Sequence, residues 1–440
     1  MKKGIKVVLA AASALLISAP AFAFHSGGAG QCEGCHTMHN SLEGAPVVGG
    51  QGSTVQMAQY QTGPYLLKAN DASGSCLNCH ETPGAGTYQV STTGAVISAA
   101  GTAPKQYTPG GDFAWLKKSY AFSIHGHSTT EDGDRHGHNV IASDYGYKQD
   151  GTLTTAPGGS YPAGKLACSS CHDPHGKYRR LADGSQVTTG LPIFDSGSYQ
   201  NSLDPISGVS SVGVYRLLAG VGYTPKSLGG ANVFQYRAPD AAAPPTYNRS
   251  ENTAQTHVAY GQGMSEYCAN CHGSMLENGF VSGMAGLVHP AGNNAKLTSA
   301  IASNYNAYVS SGVMTNTQPT KAYSTLVPIE LGTGDYTKLK PLAVNTDDKD
   351  QSASTSTNVS CLSCHRAHAS GFASMLRYSM SSEFMTIADD SGNATYPSDV
   401  NNDVANGKSQ VEQQAAYYDR PATAFGPYAR NLCNKCHAKD

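Results

Sequence analysis

All twelve cysteines of this 440-residue chain stand in Cys-x-x-Cys pairs, and a histidine follows each pair at once. The six sets are Cys32, Cys35 and His36; Cys76, Cys79 and His80; Cys168, Cys171 and His172; Cys268, Cys271 and His272; Cys361, Cys364 and His365; and Cys433, Cys436 and His437. Two thiols three positions apart on one turn form thioethers to both vinyl groups of a single porphyrin, and the adjacent His then lies under the ring to bind iron. The pattern therefore reads as c-type haem attachment, repeated for six haem c groups. A zinc ribbon also uses Cys-x-x-Cys pairs but needs no His after every one, and a thioredoxin-like redox pair occurs once, beside a βαβ pattern. With every cysteine used, none remains for a disulfide.

Ten further histidines are available as second axial ligands. The first, third and fifth motifs continue as Cys-His-x-x-His, ending in His39, His175 and His368, whereas the second, fourth and sixth do not. If the segment is helical, His at i and i+3 share a face. The second His then cannot reach the far side of its own haem, but it can reach another iron. An isolated His also precedes each odd motif: His25, His138 and His289. The chain thus reads three times as lone His, CxxCHxxH, CxxCH, which predicts three dihaem units near 25–80, 138–272 and 289–437 with very unequal loops. The candidate iron ligands are the six motif histidines with His25, His39, His138, His175, His289 and His368.

His125, His127 and His136 fall in a polar Gly-rich stretch that reads as an exposed loop. A mixed site with Asp132 and Asp134 is the second reading. His257 reads as structural. Lys177, Arg179 and Arg180 are either a solvated basic run or partners of haem propionates. Asp347, Asp348 and Asp350 read as a solvated acidic loop.

Only 39% of residues are hydrophobic and 14% charged, against about 45–50% and about 25% in ordinary globular domains. Porphyrins supply the missing core. The expected fold is a single hexahaem cytochrome domain over 24–440, mostly coil with a minority of short helices and very little sheet, its core formed by six covalent haems. Candidate helices are the CxxCH turns and roughly 293–311, 370–387 and 409–418. The 25 Tyr are expected to pack against haem edges. Residues 1–23 carry Lys2, Lys3 and Lys6, an apolar run from Val7 to Ile17 and Ala21-Phe22-Ala23, the layout of a secretory signal peptide. Export is expected, with no membrane span in the mature chain. A formal net charge of −2 gives no basic footprint for nucleic acid.

Over essentially its whole length the sequence resembles the extracellular hexahaem nanowire cytochromes of metal-reducing bacteria. The stretches that carry the resemblance include Phe24-His25-Ser-Gly-Gly, the segment from Cys32 to Ser41, Gly137-His138-Asn139, the segment from Cys168 to Arg180, His289-Pro-Ala-Gly-Asn, Cys361 to Phe372 and the terminal Leu432 to Asp440. The resemblance implies that His25, His39, His138, His175, His289 and His368 are axial ligands. It also implies extracellular electron transfer, without enzymatic turnover, along a homopolymer whose haems alternate between parallel and T-shaped pairs. In that arrangement His39 ligates the haem of Cys361, Cys364 and His365 in the next subunit. Outer-membrane electron conduits and extracellular acceptors such as metal oxides or partner cells are the implied partners, at the outer cell surface after export through the periplasm. The alternatives are a monomeric periplasmic electron carrier or store, and a multihaem reductase, which needs an iron with an open face.

Overall fold

Gly, Ser, Thr and Asn between the motifs disfavour long helices and favour turns, and the backbone follows them. A computed structural model of the chain describes residues 32–37, 41–42, 45–46, 64–81, 88–93, 103–245, 257–276, 279–280, 287–307, 322–345, 351–398 and 404–437. Residues 1–31, with His25, and residues 38–40, with His39, lie outside them, as does the acidic run at 346–350. Among the described residues the longest helices, Ala72–His80 and Ser299–Ala307, have nine residues each. Sheet is confined to two-stranded pairs and one four-stranded sheet around Arg179–Arg180. No helix among the described residues is long and apolar enough to cross a membrane.

Among the described residues, buried side chains form several separate apolar clusters instead of one core, and the two largest adjoin cysteine motifs. Leu432, Tyr378 and Phe372 belong to a cluster flanked by Cys364, Cys433 and Cys436. Tyr178, Phe234 and Tyr267 belong to another, flanked by Cys171 and Cys271. Much of the remaining interior is polar. The guanidinium of Arg377 donates to the carbonyls of His365 at 3.0 Å and Thr325 at 2.8 Å, and Arg366 donates to Pro109 O at 2.9 Å while lying 3.8 Å over the Tyr418 ring. Buried cations on loop carbonyls thus do part of the work that strand ladders do elsewhere.

Several local expectations need correction. Residues 370–387 do not form a helix: a short 3₁₀ turn at Ala373–Met375 is followed by coil and the Ile387–Ala388 strand. The cause is local, because Ser374 and Met375 both have positive φ (55° and 48°), which ends any right-handed helix. The 293–311 segment is helical only over Ser299–Ala307 in its described part. The 409–418 segment is helical over Gln410–Ala416, where Ser409 and Glu412 form a capping box.

The stretch from His125 to His136 is not a loop. Strands Tyr120–Ile124 and His127–Glu131 pair in register across a two-residue turn in which His125 and Gly126 both have positive φ. His136 is fully buried, with its Nε2 2.8 Å from Glu131 Oε1 and its Nδ1 3.2 Å from Trp115 O. Lys118–Glu412 and Lys408–Glu131 ion pairs, both at 3.2 Å, tie this hairpin region to the Gln410–Ala416 helix. The basic run is solvated only at Lys177, which is exposed. Arg180 is buried 3.5 Å from the Tyr336 ring centre, and Arg179 donates to Leu191 O at 2.8 Å.

Candidate haem-binding site

Each Cys-x-x-Cys-His begins on a helical turn. Cys32–Cys35 and Cys361–Cys364 are single α-turns, Cys168–Ser170 and Leu432–Lys435 are 3₁₀ turns, and Cys76 and Cys268 lie in longer helices. All twelve cysteines are free of disulfides.

Five of the six motif histidines share a hydrogen-bond arrangement. Nδ1 of His36 lies 3.0 Å from Tyr65 O, that of His80 2.7 Å from Tyr88 O, and that of His172 2.8 Å from Arg216 O. For His272 the partner is Pro157 O at 2.7 Å, and for His365 it is Ser374 O at 2.8 Å. A carbonyl only accepts, so Nδ1 carries the proton and Nε2 keeps its lone pair, the tautomer that a metal-ligating imidazole needs. His138, on Ala367 O at 2.8 Å, and His289, on Pro290 O at 2.9 Å, are held the same way. Burial, reinforced by the neighbouring histidines, pushes the pKa of His138 down to about 4 and that of His368 down to about 3, which keeps both rings neutral.

After the odd motifs one further device repeats three times. Tyr65-Leu66, Arg216-Leu217 and Ser374-Met375 all adopt positive φ, between 48° and 61°. The first residue of each pair presents its carbonyl to the motif His. The second accepts from the next backbone N–H: Thr37 N to Leu66 O at 2.7 Å, Asp173 N to Leu217 O at 2.8 Å and Arg366 N to Met375 O at 2.8 Å. Left-handed backbone in six non-Gly residues costs about 1 kcal/mol each, and such strain persists where surrounding structure holds it at functional sites. Sequence reasoning missed these pairs. Their one common signal is a Leu two residues beyond the strained start (Leu67, Leu218, Leu376), and it stands at unequal distances from the motif.

The candidate ligands come together as paired rings, with interplanar angles from 10° to 85°. His36 and His175 have ring centres 6.4 Å apart, His172 and His368 6.4 Å, His138 and His272 6.0 Å, and His289 and His437 6.0 Å. Two metal–nitrogen bonds of about 2 Å, with half an imidazole ring beyond each nitrogen, put ring centres about 6 Å apart. The residues therefore fit a six-coordinate iron between each pair. His257 has no such place: it is buried and stacked on Tyr323 at 4.0 Å.

The pairing follows a rule. An isolated His faces the even motif His of its own unit (His138 with His272, His289 with His437). The second His of a CxxCHxxH faces the odd motif His of the preceding unit (His175 with His36, His368 with His172). Cysteine positions alternate in step. Within a unit the second cysteines lie close enough to interact electrostatically: Cys35 with Cys79, Cys171 with Cys271, Cys364 with Cys436. Between units the first cysteines meet, Cys76 beside Cys168 and Cys268 beside Cys361, each pair close enough to interact electrostatically.

No protein-family model matches the chain. It is similar to the C-type cytochrome OmcS of Geobacter sulfurreducens, with 56% identity over 445 residues and full coverage of both chains. Two solved structures are similar as well. One is the cryo-EM structure of OmcS nanowires from Geobacter sulfurreducens (TM-score 0.85), the other the outer membrane cytochrome S filament of the same organism (TM-score 0.84). Each is 55% identical and covers 95% of this chain and 100% of its own. A full-length relative at this identity, with six Cys-x-x-Cys-His motifs and paired imidazoles in the chain itself, makes the protein a member of the OmcS family of c-type cytochromes.

Proposed function

We propose that this chain carries six covalent bis-His haems and polymerises into an extracellular filament that conducts electrons. The observation that carries the reading is the pairing rule. Applied to the first unit, it assigns His25 to His80. Applied to all three, it pairs neither His365 nor His39 within the chain. Copies joined end to end answer both needs: His39 of one copy faces His365 of the copy before it, at the haem of Cys361 and Cys364. The relatives described as nanowires and filaments support the same assembly.

Bound haem supplies a one-electron ferric/ferrous couple. The polypeptide supplies the rest. Imidazoles on both faces close each site, so small substrates have no approach, which disfavours the reductase reading. His rather than Met as the second ligand keeps the potential low. The Nδ1–carbonyl bonds fix each ring, so little must reorganise when an electron arrives. Alternating first-cysteine and second-cysteine contacts give the haems two kinds of junction in sequence, from His36 to His437. Twelve propionates outweigh six ferric charges, so the loaded chain is more negative than its formal −2, and joints between copies must rest on ligation and packing. Metal oxides or partner cells serve as acceptors in this reading, and outer-membrane conduits as donors, after export directed by residues 1–23.

A cryo-electron-microscopy map of the purified holoprotein tests the proposal. It should show six haems per copy and a joint at His39 and His365. Isolated monomers under all conditions would overturn the filament.

A further inference from the structure

The contacts between units contain a hydroxyl that neither the motifs nor the iron ligands require. Ser73, three residues before Cys76, is fully buried, and its Oγ accepts from the backbone N–H of Cys168 at 3.1 Å. Ser265, three residues before Cys268, is also buried, and its Oγ accepts from the N–H of Cys361 at 3.0 Å. That N–H is the first of the odd motif's turn and has no partner within the turn. Each serine hydroxyl also lies beside the sulfur of the same cysteine. The odd motif is braced from inside as well, Ala167 N donating to Ser170 Oγ at 2.9 Å and Ser360 N to Ser363 Oγ at 3.0 Å.

We propose that Ser73 and Ser265 are positioning residues that clamp each even motif to the odd motif after it and so fix how closely the groups attached to the two motifs approach. One hydroxyl holds the first cysteine of the next motif by its backbone N–H. The two attachment points cannot then slide past each other without leaving that N–H unpaired. The device is absent where the chain meets a neighbouring copy. Arg430 stands three residues before Cys433, paired with Glu383, and Gly34 stands in the first motif where the third and fifth have Ser170 and Ser363. Junctions inside a copy are clamped, and the joint between copies is left to form by ligation alone.

The clamp rests on the six-haem reading, which intact mass of the wild-type holoprotein tests separately: fewer than six haems overturns that reading and not the clamp geometry. Ser73→Ala and Ser265→Ala are then made in the full chain, with Ser75→Ala as control, since Ser75 Oγ contacts only Asp71 O of its own helix, at 3.5 Å. The readout is the excitonic couplet in Soret circular dichroism, which reports the mutual placement of neighbouring haems. S73A and S265A should each keep six haems, lose part of the couplet and still form filaments, with S75A unchanged. An undiminished couplet in both variants, or an equal loss in S75A, overturns the proposal. Where S73A gives too little holoprotein, S265A decides at the second junction.

Discussion

His36 and His175 face each other with ring centres 6.4 Å apart and planes within 10°, although 139 positions separate them in sequence. The pair joins the first predicted unit to the second. Replacing His175 by Ala should leave all six haems covalently attached, because His175 belongs to no Cys-x-x-Cys-His. One iron per chain should become open on one face. Reduced H175A is therefore expected to bind about one carbon monoxide per six haems by difference spectroscopy, where the wild type binds essentially none. Equal binding by both proteins would contradict the ligand assignment.

His39 is the second-position histidine of the first CxxCHxxH, which the proposed filament assigns to His365 of another copy. H39A should keep six haems, as read by intact mass, and lose filaments, as read by electron microscopy. One haem per copy should also bind carbon monoxide, in this case the one held by Cys361 and Cys364. Normal filament yield would remove His39 from the joint.

The motif spacing made the chemistry legible, and counting histidines selected the candidate ligands. Which ring faces which was not legible, because the pairing depends on loops of unequal length that bring His175 to His36 and His368 to His172. The left-handed pairs at Tyr65, Arg216 and Ser374 were invisible for another reason. No residue type there prefers positive φ, so the conformation is imposed by the bonds on both sides. Likewise the apparent helix over 370–387 yields to Ser374, whose carbonyl is committed to His365 at 2.8 Å. His136 was misjudged because its polar neighbours suggested solvent, whereas the hairpin folds Glu131 back over it.

Two glycines with similar backbone should respond differently to alanine. Gly111 has φ +95°, and a Cβ there would stand 1.8 Å from the carbonyl oxygen of Ala369, next to His368. Gly126 has φ +82° in the hairpin turn, and a Cβ would meet nothing within 4 Å. G126A should cost only the left-handed penalty, about 1 kcal/mol. G111A adds a backbone clash that must displace the segment carrying His368, so a loss of several-fold more is expected, on the order of 3–5 kcal/mol. Thermal melts of the two holoproteins compare them, and carbon monoxide binding by G111A alone would show that the displaced ring is the ligand.

Glu330 gives stability a pH dependence whose sign is fixed by burial. Its carboxylate is 1% exposed, accepts from Met264 N at 2.8 Å and from Asn358 Nδ2 at 2.7 Å, and lies between the fourth and fifth motifs. Burial pushes its pKa up to about 7, against the lowering effect of those two hydrogen bonds. The folded chain therefore holds this proton more tightly than the unfolded chain, where an ordinary Glu titrates near 4.5. Between those values the folded state binds more protons, so stability falls as pH rises from about 4.5 to about 7 and levels off above. The shift corresponds to about 3 kcal/mol. Glu330→Gln removes the titration but keeps the shape. The variant's stability relative to wild type should therefore rise by roughly that amount across the window, whatever constant offset the amide introduces beside Asn358. Denaturant unfolding of both holoproteins at pH 4.5, 6 and 8 measures the difference. A difference that stays flat with pH would show that Glu330 remains ionised in the folded chain throughout, and that its two hydrogen bonds outweigh its burial.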